Sequence, residues 1–111
     1  MTLIITRPEE DALALLGKLA SMGRSATLMP LLKIVPRTDV VIPSKNYQVI
    51  CVTSANALKT SGVADHFKNV PLLAVGPQSL DAARQAGFTH ASAHGSDVHG
   101  LSAEVKAKFD P

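Results

Sequence analysis

Short apolar runs alternate along this chain with stretches whose apolar positions recur at helical spacing. Thr2-Leu3-Ile4-Ile5-Thr6 predicts a first strand. Thr6-Arg7-Pro8-Glu9 has the S/T-x-x-E form of a capping box, with its proline in the first turn, where no N–H is needed. Leu13, Leu16, Leu19 and Ala20 then form a stripe that predicts a helix with one buried face, and Gly23 follows as a residue suited to the left-handed conformation past a helix end. Ala26 to Pro30 predicts a second strand, and Leu31 to Pro36 continues extended. Pro30, Pro36 and Pro43 forbid a helix through this region. From Arg37 to Tyr47 the composition turns polar, as in a linker.

Gln48-Val49-Ile50-Cys51-Val52 predicts a buried central strand, and Thr53-Ser54-Ala55-Asn56 the turn that ends it. Ser54 is a candidate N-cap for a helix from Ala55 to Phe67, which Ser61-Gly62 weakens enough to break in two. Val70 to Val75 predicts the next strand. Gly76-Pro77-Gln78-Ser79 is a tight turn, with Pro77 placed to open a helix to Gln85. Leu80, Ala83 and Ala86 face inward at helical spacing, and Gly87 ends that helix as Gly23 ended the first. Phe88 to Ala93 predicts a weaker edge strand. Ser96 or Asp97 caps a last helix with Leu101, Val105 and Phe109 on one face.

Strands alternating with helices predict an α/β protein: a doubly wound, flavodoxin-like parallel sheet of about five strands. Residues 1–36 form the first β-α-β unit, 37–47 the linker, and 48–111 the β-α-β-α-β-α remainder. In such sheets ligands sit beyond the carboxyl ends of the strands. Three turns belong at that edge, those beginning at Thr6, Thr53 and Gly76. Free amides and the positive end of a helix dipole make such turns suitable for an anion, although a strand-to-helix turn with a good cap accounts for the same residues.

Composition narrows the picture. The chain has 111 residues, enough for one domain, and 46% of them are hydrophobic while only 4% are aromatic, so the core is aliphatic. The net charge of +2 is scattered, with no basic block, which argues against a nucleic-acid partner. No stretch is long and apolar enough to span a bilayer, and no signal peptide opens the chain, so the expected location is cytoplasmic. Cys51 is the only cysteine, and its apolar neighbours predict a buried, inert thiol. His94 and His99 flank Asp97 at a spacing that matches no zinc pattern, so that stretch reads as a solvated loop. The glycines form no nucleotide fingerprint.

Four motifs occur in order: Thr-Arg-Pro-Glu after the opening strand, Met-Pro-Leu-Leu-Lys-Ile, Thr-Ser-Ala-Asn-Ala after a strand, and Ala-Val-Gly-Pro before a helix ending Ala-Gly-Phe. Together they resemble the first half of uroporphyrinogen-III synthase. The resemblance implies cyclisation of the linear tetrapyrrole hydroxymethylbilane, with loss of water and inversion of the last pyrrole ring. It implies no metal or organic cofactor, and a product held between two flavodoxin-like lobes largely by backbone amides. Carried onto this chain, it places Thr6 and Arg7 at the first turn, Thr53, Ser54 and Asn56 at the second, and Gly76 and Ser79 at the third, with Ser79 supplying a hydroxyl near the substrate. Arg7 could pair with a substrate carboxylate, or be solvated beside a helix start.

The family's second half has no counterpart here, which leaves two outcomes for residues 1–36. They dock beside the remainder of their own chain, or two copies exchange them as a swapped homodimer. A flavodoxin-like module binding flavin or another small ligand is the rival to an enzyme, although scarce aromatics argue against flavin.

Overall fold

The computed structural model describes residues 2–60 and 62–111. The chain divides into two compact units, Met1–Val35 and Pro36–Pro111. It is an α/β protein, with five strands and five helices among the described residues. Every strand pair is parallel, as predicted. The strands are shared between a two-stranded and a three-stranded sheet, where the sequence predicted one sheet of about five.

The first unit is β1 (Leu3–Ile5), α1 (Glu9–Ser21) and β2 (Ala26–Leu28). Leu3 pairs with Ala26 and Ile5 with Leu28. The ladder runs on, because Met29 N–H donates to Ile5 O at 2.8 Å and Leu31 N–H to Thr6 O at 3.1 Å. That second bond corrects the expected capping box. An N-cap carbonyl accepts the first helical N–H, but the Thr6 carbonyl is committed to the strand pairing. Pro8 takes the N-cap position instead, with ψ 145° and no side-chain cap, and its carbonyl accepts from Ala12 N–H at 2.9 Å. The buried face of α1 is also turned from its expected phase. Ala12 is fully buried and Leu15, Leu16 and Leu19 are half-buried, whereas Leu13 and Ala20 face solvent.

Gly23 ends α1 as predicted. Its φ is 69°, and the amides of Gly23 and Arg24 return to the carbonyls of Ala20 and Leu19 at 3.0 and 2.8 Å. This is the Schellman pattern, which satisfies two carbonyls that a helix end would otherwise leave bare.

Residues 29–49 form no helix or strand. Arg37 and Asp39 pair there through two hydrogen bonds at 3.1 and 2.8 Å, both side chains exposed.

The second unit carries β3 (Ile50–Val52), α2 (Asn56–Thr60), α3 (Val63–Phe67), β4 (Leu72–Ala74), α4 (Gly76–Gln85), β5 (Ala91–Ala93) and α5 (Val98–Lys108). The expected break in the helix falls between α2 and α3; Ser61 itself lies outside the described residues. The sheet order is β3-β4-β5. β4 is therefore central and all three of its residues are buried, while β3, expected to be central, is an edge. This corrects the reading of Cys51, which is exposed. On a strand with neighbours on one side only, the middle residue of Ile50-Cys51-Val52 points away from the core that Val52 enters.

One face of this sheet carries the core. Val52, Leu58, Leu72, Ala74, Ala83 and Phe88 pack together, with Ile50, Leu80 and Ala86 against them. Leu72 is the largest fully buried side chain among the described residues, and burial of such a residue contributes about 1.5–3 kcal/mol. Gly87, with φ 98°, closes α4 by the same Schellman pattern as Gly23: its amide reaches Arg84 O at 3.0 Å and that of Phe88 reaches Ala83 O at 3.1 Å. Phe88 then turns into the core. Tyr47 is tied to this unit by an edge contact with Phe67, centroids 5.3 Å apart, and its hydroxyl donates to Pro43 O at 2.8 Å.

Candidate functional site

Parallel strands in register deliver their carboxyl ends to one edge. In the second unit Val52 pairs with Ala74 and Ala74 with Ala93. Val75 N–H donates to Val52 O at 3.0 Å and His94 N–H to Ala74 O at 2.9 Å, which carries the ladder to its last rung. The turns beginning at Thr53, Gly76 and His94 therefore share one border of the sheet.

Thr53 and Ser54 are exposed at the first of these turns. The Ser54 hydroxyl accepts Asn56 N–H at 3.3 Å. Ser54 was expected to be the cap itself, but Lys59 N–H donates to Ala55 O, so the cap position falls one residue later. At the second turn Gly76 has φ 77°, a conformation that only glycine takes cheaply, and a Cβ there would meet open space. Pro77 sits in the first turn of α4 without loss, and no side chain caps this helix start. Ser79 lies two residues further in and is 4% exposed. It faces the protein interior, unlike the open turn residues before it.

The third turn was expected to be a solvated loop. The structure makes it an ordered corner. Asp97 caps α5, its Oδ1 accepting Gly100 N–H at 3.0 Å, and the His94 side chain is only 21% exposed. The histidine Nε2 lies 2.7 Å from Ser92 Oγ and Nδ1 lies 3.6 Å from Glu104 Oε1. Burial of position 94 was not legible, because Ala-Ser-Ala-His carries no alternation that favours one face. No group of three or more metal-ligating side chains occurs among the described residues.

Thr6 and Arg7 belong to the other unit, at the carboxyl end of β1, and both are exposed. Arg7 makes no hydrogen bond or ion pair among the described residues.

The family model for uroporphyrinogen-III synthase HemD matches residues 14–111. The chain belongs to that family. The matched span holds the turns at Thr53, Gly76 and His94, and leaves Thr6 and Arg7 outside it. No curated protein matches the chain. No helix among the described residues is long and apolar enough to cross a membrane. Membership of the family implies a small-molecule tetrapyrrole substrate.

Proposed function

We propose that this chain acts as a uroporphyrinogen-III synthase in the cytoplasm, closing hydroxymethylbilane to uroporphyrinogen III with loss of one water. The observation that carries the reading is the family match over residues 14–111, which spans the three aligned turns. The hydroxymethyl end takes up a proton, loses its hydroxyl as water and becomes a reactive cation. The last pyrrole ring attacks this cation through the carbon that already bears its bridge to the chain, giving a spirocyclic intermediate; that bridge bond breaks and re-forms at the ring's other α-carbon, which inverts the ring, and loss of a proton restores the pyrrole. Such chemistry needs a held conformer more than a strong acid or base, so the protein acts chiefly by positioning. The hydroxyls of Thr53 and Ser54, with the Asn56 side chain, would take substrate carboxylates at one turn. The amides around Gly76 and the start of α4 would take them at the next. Ser79 would reach the substrate only after the first turn of α4 shifts. Within the first unit, Thr6 and Arg7 would offer a hydroxyl and a guanidinium at the carboxyl end of β1, the latter able to grip a carboxylate through two hydrogen bonds.

The same reading includes a homodimer formed by exchange of residues 1–36. Its support is that the first unit pairs its two strands in a sheet of their own, and that Leu31, Leu32, Val35 and Val41 lie exposed beyond it. Light scattering tests the assembly: two copies per particle are expected, and one copy would exclude the exchange.

The activity is tested with freshly made hydroxymethylbilane and separation of the uroporphyrin isomers after oxidation. Type III in excess over the enzyme-free control is the expected result. Type I alone, equal to the control, would refute the proposal.

A further inference from the structure

The second unit holds a serine–histidine pair that the proposed reaction does not use. We propose that Ser92 is an acylatable nucleophile with His94 as its base, open to small esters at the free edge of β5. The proposal is independent of the tetrapyrrole reading.

Ser92 lies in β5, and His94 follows the strand directly. His94 N–H still donates to Ala74 O, so the strand's alternation carries through it and both side chains leave the same face of the sheet. Ala91, on the opposite face, packs against the core. Ser92 Oγ lies 2.7 Å from His94 Nε2. That is the contact through which a hydroxyl hands its proton to an imidazole as the oxygen attacks. Both residues are half-buried, which shields the pair from bulk water while leaving it reachable.

The second ring nitrogen faces a carboxylate. Glu104 Oε1 stands 3.6 Å from Nδ1, beyond hydrogen-bond reach in the resting chain but within ion-pair reach once the ring takes up the Ser92 proton. The bond from Lys108, with the nearby charges, holds the Glu104 carboxyl below its usual range against the opposing effect of burial, so it is an anion. Its field favours the tautomer with hydrogen on Nδ1, which leaves Nε2 to accept from Ser92. Glu104 touches neither Ser92 nor an ester, so it is a positioning residue.

The edge of the sheet supplies a donor for the developing oxyanion. The rungs to β4 use His90 O and His94 N–H, so by the alternation of a parallel ladder the Ala93 N–H faces away from β4. β5 ends the sheet order, and no strand among the described residues lies on that side. Ala93 is exposed, and its amide immediately follows the nucleophile, a position from which serine hydrolases draw an oxyanion donor.

The reaction balances without a co-reactant other than water. Ser92 Oγ bonds to the ester carbonyl as its proton passes to His94 Nε2. The ester C–O bond breaks, and the leaving oxygen takes that proton. Water then repeats the sequence on the acyl-serine, giving a carboxylic acid and free Ser92. α5 lies over the pair through Glu104, which restricts the acyl group to a small one.

The test is p-nitrophenyl acetate, with release of p-nitrophenol followed by absorbance and the acetylated residue located by peptide mass mapping. All variants carry Cys51→Ser, because the exposed thiol is a competing acyl acceptor. Acetyl on Ser92 is expected, and Ser92→Ala is expected to lose that label and fall to the rate of the unfolded chain. His94→Gln is expected to acylate about 100-fold more slowly. Glu104→Gln is expected to lower kcat while KM stays, a split that mere loosening of α5 would not give. Circular dichroism confirms that each variant is folded. A folded parent protein with no acetyl on Ser92, or equal rates in the parent, Ser92→Ala and His94→Gln, would overturn the proposal.

Discussion

Gly95 and Gly100 meet face to face: a Cβ built on either would lie 2.9 Å from the Cα of the other. Both neighbours are backbone atoms, pinned by the Asp97 cap and by the β4–β5 ladder, so neither can swing aside. Gly100→Ala is expected to destabilise the second unit by about 1–2 kcal/mol, the overpacking cost exceeding the helical gain of alanine. Gly95→Ala is expected to cost more, because that residue also has φ 67°. Urea midpoints measure both.

Gly17 is the opposite case. It lies inside α1, where an added Cβ would meet nothing within 4 Å. Gly17→Ala is expected to stabilise the first unit by up to about 1 kcal/mol, read as slower amide exchange through α1.

Cys51 is open to solvent, yet partial burial pushes its thiol above the ordinary value. It is expected to be fully modified by iodoacetamide without denaturant, but more slowly than a free cysteine at pH 7, with the gap closing as pH rises. A thiol that reacts only after unfolding would contradict the edge position of β3.

The Tyr47–Phe67 edge contact anchors the segment before β3. Tyr47→Ala is expected to cost about 0.5–1.5 kcal/mol from the ring pair, whereas Tyr47→Phe keeps the ring and loses only the bond to Pro43 O. Thermal melts of the two variants distinguish them.

Where the sequence was legible, a local rule decided the structure. Gly23 and Gly87 close their helices because the Schellman turn needs a residue at positive φ, and that need shows in five or six residues of sequence. Asp97 caps α5 for an equally local reason. The parallel α/β class followed from alternation alone. Misreadings arose where a distant partner decides. Cys51 looks buried until the strand order makes β3 an edge. Thr6 looks like a cap until its carbonyl is claimed by Leu31 N–H, 25 residues away. Leu13 is one position out of phase with a face that only the β1–β2 sheet defines. In the candidate site, the turns at Thr53 and Gly76 could be named from sequence. The covered position of His94 could not, because its partner Glu104 sits on the next helix.

The central claim is that the strand ends of the three-stranded sheet receive a carboxylate-rich tetrapyrrole. Titration of isotope-labelled protein with uroporphyrin III, followed amide by amide in a two-dimensional NMR spectrum, tests it most directly. Saturable shifts concentrated at residues 53–56 and 75–79, abolished when those turns are altered, are the expected result. Shifts confined to other surfaces, or none at saturating ligand, would contradict the account.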